Sequence, residues 1–139
     1  MMGADRRSID IKGLSHVNPI PVGTRIGPLL VSSVVAPFDP GTRTVPDTAE
    51  AQIANLFAHV GNILEAGGAG WGDVAKMTFF VSDIAFRDAI NAPWAERFPD
   101  PASRPSRHTQ LSPQASPKPM VTCDVIAYVG TPGDAGTGR

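Results

Sequence analysis

The side chain best placed to do chemistry is Arg107, in the run Arg104-Pro105-Ser106-Arg107-His108-Thr109. Upstream stands Phe98-Pro99-Asp100-Pro101. Prolines fix φ and push the residue before them out of the helical region, so this approach is extended and stiff. A guanidinium at the start of a strand entered this way is held by backbone. It suits gripping a planar carboxylate through two parallel hydrogen bonds. Arg104, His108 and Thr109 add polar groups beside it. A plainer reading stays open: Glu96 or Asp100 as a surface ion-pair partner, an arrangement worth at most ~1 kcal/mol.

Other chemistries are weaker. The histidines His16, His59 and His108 share no metal-ligand spacing, and Cys123 has no Cys or His two to four residues away, so no metal is expected. Cys123 alternates with Val121, Val125 and Ala127 along a strand, the pattern of a small packed residue rather than a nucleophile. The glycine-rich run from Gly67 to Gly72 follows a helix instead of opening one, and no Gly-Lys-Ser/Thr closes it. It reads as a helix cap and turn.

The elements that must position Arg107 follow from periodicity. Ile53, Leu56, Phe57, Val60, Ile63 and Leu64 recur as one stripe of a helix. Asp47 with Glu50 three residues on predicts a capping pair, and Gly67-Gly68 ends the helix. His59 lies off the stripe near Gln52, Asn55 and Asn62, which places it toward solvent. A second helix follows Asp83, with Phe86, Ile90, Trp94 and Phe98 every four residues and Pro93 expected to kink or shorten it. The β-branched run Leu29–Ala36 predicts a central strand, Val74–Val81 a second buried one, and 107–112 and 121–129 a last pair. Gly23 and Gly27 punctuate a hairpin, Ile9 and Ile11 a short half-buried strand, and Asp39-Pro40-Gly41 a turn-rich loop. Strands, helix, strand, helix, strands imply a crossover and one helical layer over one sheet.

The whole, 139 residues, reads as a single domain, with 1–7 a loose leader and the tail 130–139, rich in Gly, Thr and Pro, expected to be disordered. Charged residues make up 18%, below the usual ~25%, a hint of surface hidden in an oligomer. A net charge of -1 gives no electrostatic case for nucleic acid or an anionic membrane. No apolar run approaches the ~20 residues that span a bilayer, and no signal peptide is visible. One cysteine excludes an internal disulfide and fits a reducing compartment, so the cytoplasm is the default location.

Taken in order, these segments resemble the Rid family (reactive intermediate deaminases, also called YjgF-like or L-PSP proteins). The similarity runs from about Asn18 to Val129. It is carried by Asn18-Pro19-Ile20-Pro21-Val22-Gly23, Ser33 before Pro37, Asp39-Pro40, Asn55-Leu56 and Ile63-Leu64-Glu65-Ala66-Gly67. Trp71-Gly72-Asp73-Val74, Val81-Ser82-Asp83, Phe86 with Asn91 and Trp94, Pro105-Ser106-Arg107, and Asp124-Val125-Ile126-Ala127 continue it. The resemblance implies an α+β, chorismate-mutase-like (YjgF-like) fold: a mixed β-sheet packed on two helices on one face. It further implies a homotrimer with clefts between subunits, and cofactor-free hydrolysis of enamine or imine acids such as 2-iminobutanoate to 2-keto acid and ammonia. Arg107 stands at the family's carboxylate-clamping arginine, and Thr109 fits the cysteine or threonine two residues on. Ser33, Val34 and Asn91 match pocket positions.

The departures are specific. Ile20 stands where deaminase members carry a tyrosine, Val34 where a glycine follows the serine, and Thr122 where a glutamate is thought to handle the water. A threonine takes no proton at neutral pH as a carboxylate does. Imine hydrolysis nevertheless needs little beyond carboxylate anchoring, a positioned water and proton transfer. The alternatives are a non-catalytic protein that binds a small carboxylate such as a keto acid, and, more remotely, a ribonuclease. The absence of a basic, aromatic-studded groove counts against the last.

Overall fold

The computed structural model describes residues 5–112 and 119–130. The expected leader falls partly, and the tail beyond Gly130 wholly, outside these. Val74–Val81 (β4) is the strand the sequence marks most clearly, and it anchors a six-stranded sheet. With Arg6–Ile9 (β1), Gly23–Ile26 (β2), Leu29–Ser32 (β3), Ser106–Leu111 (β5) and Val121–Tyr128 (β6), the order is β1-β2-β3-β6-β4-β5. All neighbours are antiparallel except β4 and β5, the parallel pair that a crossover produces. The last two strands of the chain flank β4 rather than pairing with each other. Arg6 and Arg7, assigned to a loose leader, belong to β1.

Strand alternation sorts the sheet into two sides. Leu30, Met77, Phe79, Val81, Cys123 and Val125 face inward and are essentially inaccessible, so the apolar set of each strand points to one core. Ala49–Ala66 (α1) and Arg87–Arg97 (α2) cover that side. Between them Phe57, Trp71, Phe98, Trp94 and Phe79 form a chain of ring contacts, with centroids 4.8–6.4 Å apart. Cys123 is packed there, its thiol pushed far above the usual range by burial and then by Asp124, as an inert core residue requires.

The cap of α1 is Thr48, whose hydroxyl accepts from the Ala51 N–H, not the expected Asp47. At the other end Gly68, at φ 79°, takes the left-handed turn while Gly68 and Ala69 donate to Glu65 and Leu64. This is a Schellman closure, which wants glycine for its positive φ. Asp83 caps a 3-10 turn, Ile84–Phe86, and α2 starts only after it and runs through Pro93 to Arg97.

His59 is a correction. It is 5% exposed, with Nε2 2.6 Å from the Phe38 carbonyl oxygen, rather than turned to solvent. The 37–46 loop folds over this flank of α1, and the polar residues there bond to it. Asn55 donates to Pro37 O and Asp39, and Gln52 donates to Pro46 O. Gln52 also accepts from the N–H groups of Met120 and Val121, so one buried amide ties α1, the loop and the start of β6. Gln52→Leu removes that amide and strands its partners. The expected cost is about 1–3 kcal/mol in urea unfolding, and a loss below about 0.5 kcal/mol would deny the bridge any role.

The expected strand Leu29–Ala36 is regular only to Ser32. Between the pairs Val31–Ile126 and Val35–Cys123, the β3 side advances four residues while β6 advances three. The extra residue is a β-bulge spanning Ser32, Ser33 and Val34 opposite Val125 and Asp124.

Candidate functional site

Arg107 lies on β5, the edge strand, beside Met77 of β4, and points to the helix side. It is half-buried. Its Nη2 donates to Asn91 Oδ1 at 2.8 Å and its guanidinium carbon sits 5.3 Å from the centre of the Trp94 ring. Helix α2 supplies both supports. Pro105 leads directly into β5, as the stiff approach predicts. Neither Glu96 nor Asp100 pairs with Arg107. The ion pair formed among the described residues is Arg97–Glu96, at 3.8 Å, and Arg104 turns back to the Phe98 carbonyl. Burial, then nearby Arg87, lowers the proton affinity of Arg107 from its usual value, against the smaller pull of Asp88. A cation partly stripped of water and short of an opposite charge gains most from an incoming anion.

The remaining expected site residues fall into separate groups. Thr109 shares strand and side with Arg107 and is half-buried. Ile20, Ser33 and Val34 come together elsewhere, off the far end of β3. The Ser33 hydroxyl donates to Pro21 O, and the His16 ring lies between the carbonyl oxygens of Ile20 (3.1 Å) and Val34 (3.4 Å). Ile20 and Val34 are 46% and 48% exposed, so both present apolar surface outward. Val34 also borders an apolar cavity of about 270 Å³ with Leu14, Val22, Val35 and Phe38. Thr122 is on β6 with its side chain on the outer side of the sheet, next to Phe80. Within one chain, then, Arg107 and Thr122 face opposite sides of the sheet. The β3 group is separated from Arg107 by β6 and β4, three strand spacings or about 14 Å.

Among the described residues, that outer side carries no helix. Ile26, Leu29, Ile126 and Tyr128 are 39–59% exposed on it. A contiguous apolar patch of this kind marks an interaction surface. Sequence reasoning missed Trp94 as the floor under Arg107, because its four-residue periodicity marked it as core, and missed His16. It also passed over Asp124, although the alternation of Thr122, Asp124 and Ile126 on β6 was visible. Among the described residues no group of three or more His, Cys, Asp or Glu side chains is placed to hold a metal. No helix there is long and apolar enough to cross a membrane.

Over residues 15–129 the sequence matches the family described as Endoribonuclease L-PSP. The chain belongs to that family. This L-PSP group is the one the Arg107-bearing pattern resembles. A relative from Salmonella typhimurium, described as 2-iminobutanoate/2-iminopropanoate deaminase, is 32% identical over 82 residues, 59% of this chain and 64% of that protein. The match thus spans less than two thirds of that relative's length. The crystal structure of the YjgF gene product from E. coli superposes with a TM-score of 0.77 at 26% identity, over 88% of this chain and 98% of that one. A Rid-family protein of unknown function from Yersinia pestis gives 0.79 at 24%, over 90% and 100%, and shows the shared fold. At these identities the chain is a divergent L-PSP member with the YjgF-like α+β architecture.

Proposed function

We propose that this L-PSP protein hydrolyses small imine or enamine acids to 2-keto acid and ammonia, without a cofactor. Arg107 grips the substrate carboxylate in a cleft completed by a second copy of the chain in a homotrimer. The observation that carries the reading is the half-buried guanidinium of Arg107. It is fixed by Asn91 and Trp94 and has no carboxylate partner among the described residues. The bare apolar outer side of the sheet supports a covering copy, since side chains such as Tyr128 and Ile126 would leave water on assembly. The name of the Salmonella relative supports the reaction class. Thr109 contacts the substrate beside Arg107, while Ile20, Ser33, Val34 and Thr122 of the covering copy form the opposing wall. Ile20 and Val34 make that wall more apolar than a tyrosine and a glycine would.

The test is the rate of ammonia release from 2-iminobutanoate, generated in place from the amino acid by an added amino-acid oxidase. Acceleration over the spontaneous rate is expected. A second reading, a keto-acid-binding protein without turnover, is favoured by Thr122, whose hydroxyl takes no proton at neutral pH. It predicts thermal stabilisation by 2-ketobutanoate with no ammonia release, because a ligand bound only to the native state raises stability. Cleavage of RNA, which the family's description names, is not carried over, given a net charge of -1.

A further inference from the structure

Hydrolysis of an imine requires a group that takes a proton from water and later gives one to the leaving nitrogen. Arg107 stays protonated and Thr122 has only a hydroxyl. Asp124 is the single acidic residue in any of the six strands, and it lies on the outer side of β6 one pleat, about 7 Å, from Thr122. Strand register sets it in a polar row: Asp124 on β6, Thr78 on β4 and His108 on β5. On its other flank it faces the bulge that carries Ser33 and Val34. Bulges concentrate beside active sites, where they re-aim side chains. Asp124 therefore joins the strand bearing Arg107, through Thr78 and His108, to the group around Val34.

We infer that Asp124 is the proton carrier of the hydrolysis, an assignment that rests on the reaction proposed above. The water oxygen bonds to the imine carbon as its proton passes to the Asp124 carboxylate. The C=N π pair moves to nitrogen, which takes up a proton from solvent unless the imine is already protonated. In the resulting carbinolamine, Asp124 returns its proton to nitrogen, the C–N bond breaks and ammonia leaves. The hydroxyl proton is lost as the C=O bond forms, leaving the carboxylate as it began. Water is the only co-reactant.

The surroundings fit a carboxyl that cycles between its two forms. Burial lifts its proton affinity above the ordinary carboxylate value, against the pull of Lys76, the charged group facing it from β4. His108 lies beyond Thr78, about 10 Å off, and Cys123 sits on the opposite, core side. Acid–base groups work best with proton affinities nearer the working pH.

The experiment follows ammonia release from 2-iminobutanoate against pH for the wild type, Asp124→Asn and Asp124→Glu. The amide keeps the shape of the side chain and removes a charge that burial disfavours, so Asp124→Asn is expected to fold. Elution volume and thermal midpoint check this. Asp124→Asn is expected to lower kcat by about 100-fold or more with KM within about twofold, and to abolish the fall in rate at low pH. Asp124→Glu is expected to keep that fall and at least about a tenth of kcat. Full kcat and an unchanged pH profile in Asp124→Asn would overturn the assignment, as would equal losses in both variants. A wild-type protein that releases no ammonia would overturn the hydrolytic reading as well, so the two failures are distinct.

Discussion

Arg107→Ala is expected to cut turnover steeply while leaving the fold intact. The guanidinium is half-buried at the sheet edge, and in the proposed reaction a substrate carboxylate held through charge-assisted hydrogen bonds would return what it loses in solvation. Truncating one partner of such a desolvated pair typically costs 2–5 kcal/mol, so kcat/KM falls by about 30-fold to several thousand-fold. Arg107→Lys keeps the charge but not the planar fork that Asn91 and Trp94 orient, and is expected to recover only part of the loss. The check is a pair of measurements: steady-state kinetics on 2-iminobutanoate and urea unfolding at fixed protomer concentration. A variant that keeps kcat/KM within threefold removes Arg107 from the site. One that unfolds assigns it a structural role instead.

Trp94→Ala should have the largest effect on stability and a secondary one on binding. The indole is 9% exposed, packs edge-on against Phe98 at 4.8 Å and Phe79 at 6.4 Å, and forms the surface on which Arg107 rests. Emptying such a position costs about 3–5 kcal/mol from lost burial and the cavity left behind. Against a total stability of about 5–15 kcal/mol for a domain, that is a large fraction. The urea midpoint should fall with the slope nearly unchanged, and KM should rise because the guanidinium loses its floor. Trp94→Phe, which keeps a ring, should restore much of the stability and part of the binding. An unchanged KM in a folded Trp94→Ala protein would show that Asn91 alone positions Arg107.

The sequence reveals local order well and partnership poorly. β4 is bounded by Val74 and Val81 in both views, and α1 keeps the expected apolar stripe, because periodicity records which side of an element avoids water. Gln52 and His59 escaped this logic. They are polar residues buried by a loop that crosses α1, and the bonds of Gln52 to Met120 and Val121 and of His59 to Phe38 are long-range. The cap moved from Asp47 to Thr48 for a related reason, since helix ends shift by a residue without altering the pattern. The bulge at Ser33 and Val34 is invisible in a run of β-branched residues, because it exists only relative to β6. So is the order of the strands. Without it Arg107 and Thr122 look like members of one pocket within a single chain, although there they face opposite sides of the sheet. The alternation on β6 does contain that information, and with the register it also exposes Asp124.

The proposed cleft is bipartite, with Arg107 from one copy and the outer sheet side from another. The most direct measurement is a crystal structure with 2-ketobutanoate bound. The expected result is a trimer in which the ligand carboxylate accepts two hydrogen bonds from Arg107 and the ligand carbonyl carbon lies against the β6 face of a neighbouring chain, within reach of Asp124. A monomer, or a ligand bound away from Arg107 with that guanidinium open to bulk water, would contradict it.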